Sequence, residues 1–356
     1  MLNTHQSVAL HQAAYLSLAS EAFGDAGAAA LRVLLDGIAR IYEQIPPDAL
    51  AAGITVMMPI AAVAIGPGEQ RFDDVSALGL ILGRRSERAQ VRITPDEAFV
   101  LEATQPEHSP VAASNAALVY EHDGTMEQLH AMGTTRPIPR LDSTFASAFA
   151  KPTFKEMAEV LDFYARKAAD CSCDTLAGAW AGGKDGARLV LTPKPEEKMR
   201  DSLYDTLQKA LRHASVSREY NTDATRPVDI KVTWHTAPVE ALIEVKWIGR
   251  SLTDGKTPYL NYTPSRANDG AKQLADYLER ERANGSSATT KGYLAVFDAR
   301  RRKVKGPDDP LSKADATWFE DKDVEYAPDH TKTVTGFETP IRFFMRPRET
   351  HFADAA

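Results

Sequence analysis

The chain has 356 residues, 43% of them hydrophobic and 26% charged, and carries a formal net charge of −7. That length gives room for a sizeable core and about two domains of ordinary globular composition. The acidic balance argues against a protein that coats nucleic acid indiscriminately. The longest apolar run, Ile54 to Ile65, holds Thr55 and Pro59 and is too short to cross a bilayer. No basic segment followed by an apolar one marks a secretory leader, so a cytoplasmic location is expected.

In chain order, an alanine-rich helix is expected over roughly Ser7 to Phe23, divided by Gly24 and Gly27 from a second helix. In the second, Leu31, Leu34, Leu35, Ile38, Ile41, Tyr42 and Ile45 fall on one face at three- and four-residue steps, and Pro46-Pro47 ends it. From Ile54 to about Met132 the period shortens. Strands are expected near 54–65, 77–82, 89–93, 98–103 and 116–121, and Asp123-Gly124 suits a hairpin turn. A helix follows over Phe154 to Ala169, with Thr153 and Glu156 as a capping box and Met157, Leu161, Tyr164 and Ala168 as its buried stripe. Cys171 and Cys173, the only cysteines, are too closely spaced for an easy bridge and are expected as free thiols. The first region is thus expected to be a mixed α/β domain over 1–180, regulatory or recognition in role, followed by a second domain over 181–356.

Charge is unevenly placed. Residues 181–305 carry 23 Lys/Arg against 16 Asp/Glu, whereas residues 1–180 carry 13 against 22 and residues 306–356 carry 6 against 11. The basic excess coincides with the most informative part of the sequence. Pro195 opens a helix with Met199, Leu203, Leu207 and Leu211 on its apolar side. Glu196 shares that side, while Glu197 is turned about 100 degrees toward solvent. Val228, Ile230, Val232 and Trp234 then alternate with Asp229, Lys231, Thr233 and His235, which predicts a strand. A second strand over Ala241 to Ile248 makes Glu244 and Lys246 project together. If the two strands form a hairpin, Asp229, Glu244 and Lys246 converge on one side. Carboxylates in an apolar sheet need partners, and a divalent cation held by Asp229, Glu244 and the carbonyl of Val245 would provide one.

The series Asp229, Glu244-Val245-Lys246 and Gln273-Leu274-Ala275-Asp276-Tyr277 resembles the PD-(D/E)xK nuclease superfamily, in its RecB-like branch with a QxxxY helix. The resemblance spans about 110 residues, and Pro227 stands two residues before Asp229 where the family motif has proline directly before the aspartate. It implies a restriction-endonuclease-like αβββαβ core. Here that means the helix at 196–212, strands at 228–234 and 241–248, a helix over about 269–282 and a strand over Gly292 to Phe297. The remaining strand is not evident between Gly249 and Ser265, where Pro258 to Thr263 is the available stretch.

The family roles would make Asp229 and Glu244 metal ligands, with Glu196 as a further one, Lys246 the catalytic lysine and Gln273 a helix residue near metal and phosphate. Tyr277, one turn beyond Gln273, and the run Arg300, Arg301, Arg302, Lys303 and Lys305 are candidate nucleic-acid contacts, although such a run also suits a solvated loop. The implied function is phosphodiester hydrolysis with magnesium, or manganese in its place, most naturally by an endonuclease acting on DNA. The arrangement resembles bacterial antiviral defence or restriction systems, with a protein partner or small ligand at the first domain and self-association left open. The alternative is a noncatalytic nucleic-acid-binding or protein-interaction module on a silent nuclease fold.

Overall fold

The computed structural model describes residues 4–102, 109–139, 146–221, 227–235, 237–253, 256–284 and 288–353. The architecture is mixed α/β with two separate sheets in two compact units. The first takes in residues 1–156 with 236–238 and 287–289, and the second takes in the remainder. Among the described residues no helix is long and apolar enough to cross a membrane.

The first unit begins with the helical stretch α1 (Thr4–Gln44), broken at Gly24, where φ of 62° and ψ of −146° leave helical space. The two expected helices are thus divided at the first of the two glycines. Leu31, Leu34, Ile38, Ile41, Tyr42 and Ile45 are buried in the core of this unit, as their spacing requires. The unit continues with β1 (Ile54–Pro59), β2 (Gln70–Phe72), α2 (Val75–Leu82), β3 (Ala89–Ile93), β4 (Phe99–Leu101), α3 (Pro110–Ala113), β5 (Ala117–His122), β6 (Glu127–Ala131) and β7 (Thr134–Ile138). Its sheet runs β2-β4-β3-β1-β5-β6-β7, with β1 parallel to β3 and antiparallel to β5. Ala103, the end of one expected strand, lies outside the described residues.

The segment expected as a strand near 77–82 is the helix α2. Asp74 accepts from the Ser76 N–H and caps it, and Leu78 and Leu82, one turn apart, are buried. A short run that is apolar throughout has no period to separate the two possibilities. Inside the unit the Tyr42 and Tyr120 hydroxyls meet at 2.8 Å, and Tyr120 donates to Glu127 at 2.6 Å. The Ala148 N–H also donates to Glu127, at 2.7 Å. Tyr120→Phe removes the middle of this buried chain and is expected to cost about 1–3 kcal/mol, measurable as a lowered urea midpoint.

Helix α4 (Phe154–Ala169) starts in the first unit and enters the second at Met157. Its opening turn is capped from afar. The Thr153 hydroxyl donates to Asp48 at 3.0 Å and the Lys155 N–H donates to it at 2.7 Å. The division between units therefore falls inside this helix and not near residue 180. Tyr164 explains why: its ring packs edge-on against Phe297 and Phe343 of the second unit and its hydroxyl donates to Ser202 at 3.0 Å. Both cysteines are free, and Cys171 accepts from the Trp180 indole at 3.2 Å.

The second unit continues with α5 (Asp174–Ala177), α6 (Pro195–Ala210), β8 (Ala214–Asn221), β9 (Pro227–Trp234), β10 (Val239–Thr253), β11 (Lys256–Tyr262), α7 (Pro264–Ala283), β12 (Thr289–Ala299), α8 (Lys313–Ala316) and β13 (Ile341–Phe344). The sheet order is β13-β12-β10-β9-β8, with β11 paired to β10 off that path. The strand missing from the sequence reading is β8, which lies before Asp229 and pairs antiparallel with β9. Its Ser215, Ser217 and Arg218 are exposed, and Arg218 interrupts the alternation begun by Ala214 and Val216, which leaves it too short to announce a strand. The Pro258–Thr263 stretch does contribute a strand, β11, but as a hairpin on the far end of β10. Helix α7 packs on this sheet through Ala267, Ala271, Leu274 and Leu278, against Leu242, Ile248, Leu294 and Val296.

Candidate metal centre

Strands β9 and β10 pair antiparallel with Lys231 opposite Leu242 and Ile230 opposite Ile243. The ladder runs as far as that pair, and just beyond it Asp229 and Glu244 lie close enough for the charge of Asp229 to act on Glu244. Leu242, Glu244, Lys246 and Ile248 alternate onto the same face. Asp229, Glu244 and Lys246 thus lie near one another, each acting on the charge of the others. Lys246 Nζ donates to Glu244 Oε1 and, at 3.3 Å, to the Val245 carbonyl. Asp229 Oδ2 accepts from the Val245 N–H at 2.8 Å, so the carboxylate takes over where a ladder partner would stand.

Glu244 is 1% exposed, and its second oxygen, Oε2, is buried without a hydrogen-bond partner. Burial, and then the neighbouring charge of Asp229, pushes its carboxyl up to about 8 against the opposing pull of Lys246. Burial likewise raises Asp229, with the Val245 N–H and Lys246 working the other way. For Lys246, burial favours the neutral amine, yet the charges of Glu244, Glu196 and Asp229 outweigh it and hold the ammonium above its ordinary range. The lysine is thus held charged, while one oxygen of Glu244 remains without a partner.

Two helices bring further groups to this face. Glu196, at the start of α6, is half-buried and accepts from Arg266 Nη2 at 2.6 Å, whereas Glu197 is exposed, as their facing predicts. One turn after Glu196, Arg200 Nη1 stands 3.5 Å from Asp229 Oδ1. Arg200 and Arg266 were not singled out from the sequence. Their signal lies in helical spacing: Glu196 and Arg200 are four apart, and Arg266, Gly270, Gln273 and Tyr277 form one stripe of α7. Gly270 matters by its missing side chain. A Cβ there would lie 2.5 Å from Lys246 Cγ and 3.2 Å from Lys246 Cε, so the lysine stem runs directly across the glycine.

Gln273 reaches the neighbourhood through Tyr277. Its Nε2 donates to the Tyr277 hydroxyl at 2.6 Å, and that hydroxyl donates to the Pro227 carbonyl at 3.0 Å. Tyr277 is 1% exposed, which corrects its expected place at a nucleic-acid surface: it anchors Gln273 to the first residue of β9. The basic run is corrected in the same sense. Arg300 is bound to the buried Asp298 at 2.7 Å and lies over Phe319. Arg301 donates to the carbonyls of Arg300, Arg188 and Met345, and burial brings its guanidinium down to about 10. Arg302 pairs with Asp315 and stacks on Trp318, and the exposed Lys303 reaches the same Asp315 at 3.2 Å. These side chains are committed within the unit because Asp298 and Asp315 would otherwise be buried without counter-charge.

Among the described residues, no group of three or more His, Cys, Asp or Glu side chains is positioned to hold a metal ion. The donor set at Asp229 and Glu244 nonetheless suits magnesium, which keeps several waters and binds through one or two carboxylates together with substrate phosphates. The unpartnered Glu244 Oε2 is the atom that fits such a cation. No protein-family model matches the chain, and no curated protein or solved structure matches it. The packing of Lys246 across α7 gives a direct test: Gly270→Ala is expected to cost about 1–3 kcal/mol by overpacking, read as a lowered melting temperature, and to push Lys246 off Glu244.

Proposed function

We propose that the second unit is a divalent-metal-dependent phosphodiesterase of the PD-(D/E)xK type acting on nucleic acid, DNA foremost. The observation that carries this reading is the buried, unpartnered Oε2 of Glu244, within reach of the charge of Asp229 and beside the charged Lys246. The element order supports it. Helix α6, strands β8, β9 and β10, helix α7 and strand β12 follow one another as αβββαβ, with β11 as an addition to the end of β10.

Asp229 and Glu244 would hold magnesium or manganese, with Glu196 close enough to influence both carboxyls. The ion supplies Lewis-acid polarisation of a phosphate and a water of lowered pKa. Lys246, kept protonated by three carboxylates, is suited to neutralising phosphate oxygens as charge builds on them. Its pairing with Glu244 and its passage across Gly270 fix the ammonium in place before substrate arrives. Gln273 is held by Tyr277, which orients the amide at the edge of the site.

A second reading, a noncatalytic module on the same scaffold, is favoured by the pairing of Arg200 with Asp229 and Arg266 with Glu196. With Lys246 these give three cations for three carboxylates in the absence of metal. Two measurements separate the readings. The phosphodiesterase cleaves DNA with magnesium and not with chelator, and magnesium raises its melting temperature. Asp229→Ala and Lys246→Ala are each expected to lower cleavage at least about a hundredfold while the fold persists by circular dichroism. Wild-type turnover in both variants would remove this site from consideration, and a wild-type protein indifferent to magnesium in both assays would favour the silent module.

Glu196 is tested against its neighbour. Glu196→Gln is expected to raise the magnesium concentration needed for half-maximal cleavage, and Glu197→Gln to leave it unchanged. The opposite ranking would show that the exposed glutamate is the one that matters.

A further inference from the structure

At the far end of β10 from Glu244 the second unit has a cleft of about 390 Å³, within the range of pockets that enclose small ligands. The hairpin of β10 and β11 contributes to its wall, with Gly249 opposite Tyr262 and Arg250 opposite Asn261. Gly249 has φ of +134°, and a Cβ there would lie 2.8 Å from the Ala299 backbone, so β10 and β12 close together at this point. Three arginines, Arg250, Arg300 and Arg301, line the cleft, and no Asp or Glu is among its described lining residues. Two aromatic residues, Tyr262 and Phe319, also line it.

That chemistry selects its occupant. Arg300 and Arg301 are already engaged, by Asp298 and by backbone carbonyls, so Arg250 is the lining cation that favours an anion, and the planar fork of Arg suits phosphate. Arg250 donates to the Val304 carbonyl, which orients its guanidinium. Aromatic walls favour a flat ring, and stacking on them tolerates any base. A nucleotide combines the two features, a phosphate and a flat base. The cleft is also tied to the Asp229 site. Arg266 lies 4.1 Å over the Tyr262 ring and donates to Glu196, and Gly249 is three residues beyond Lys246, roughly 10 Å along the strand.

We propose that this cleft binds a nucleotide, with its base against Tyr262 and its phosphate toward Arg250. Its source is either one unit of a strand engaged at the Asp229 site or a free nucleotide. In the first case the proposal rests on the phosphodiesterase reading above.

The test is equilibrium binding by the full chain in chelator, where no cleavage is needed. The probes are a short fluorescein-labelled oligothymidylate, read by anisotropy, and thymidine monophosphate, read by calorimetry. Tyr262→Ala is expected to weaken binding at least about fivefold and Tyr262→Phe to keep it, because stacking needs the ring alone. Arg250→Gln is expected to reduce the salt dependence of oligonucleotide binding by about one phosphate contact. Since Tyr262 also touches Trp247 and Arg266, Asn261→Glu at an exposed position serves as a variant that leaves packing alone, and its added carboxylate should abolish binding. Sensitivity confined to the oligonucleotide identifies a strand subsite, and the same sensitivity with the monophosphate identifies a free-nucleotide site. Wild-type affinity for both probes in Asn261→Glu, or failure of the wild-type chain to bind either, overturns the proposal. Binding that follows these variants in a chain that never cleaves DNA would uphold the cleft and remove only the catalytic reading.

Discussion

Two carboxylates brought together in an apolar sheet cannot both stay charged unless positive charge is close at hand. Asp229 and Glu244 meet that constraint just beyond the end of the β9–β10 ladder, where each acts on the other's surroundings, and much of the surrounding structure answers it. Lys246 bonds Glu244 from the same strand, Arg200 approaches Asp229 from α6, and Arg266 binds the nearby Glu196 from α7. The answer is incomplete, since Glu244 keeps one oxygen without a partner and its carboxyl is raised to about 8, by burial first and by Asp229 next. A residual demand for positive charge at a buried point is what distinguishes this face from an ordinary solvated ion-pair network.

The parts of the second unit that were legible beforehand are those with a strong period. Alternation over 228–234 and 241–248 located both strands and made Glu244 and Lys246 neighbours, and the stripe of Met199, Leu203 and Leu207 located α6 and turned Glu196 inward. What stayed hidden had no local signal. Strand β8 lies at an edge, and Arg218 breaks its short alternation after Ala214 and Val216. The cap of α4 comes from Asp48, more than a hundred residues earlier in the chain. The pairing of Arg266 with Glu196 joins two helices across 70 residues, and nothing in either helix alone announces it. In the first unit, α2 looked like a strand because a short, wholly apolar segment fits either period.

Charge was the least reliable guide. The excess of Lys and Arg between residues 181 and 305 resembles an external patch when counted along the sequence. The arginines at its end are instead turned to internal partners: Arg300 binds the fully buried Asp298, and Arg302 binds Asp315. A buried carboxylate recruits guanidinium groups whatever the function, so a cluster of basic letters after a strand describes counter-charge as readily as it describes a surface.

The stripe on α7 has a mechanical corollary. Arg266, Gly270, Gln273 and Tyr277 sit on a single rigid rod and touch, in turn, Glu196, the stem of Lys246, and the opening residue of β9. A helix advances about 100 degrees per residue, so even a modest roll of this rod would disturb every one of those attachments together. The ammonium, the amide and the entry to the aspartate strand are therefore geared to one another, and could be disengaged by a single torque applied anywhere along twenty residues of helix.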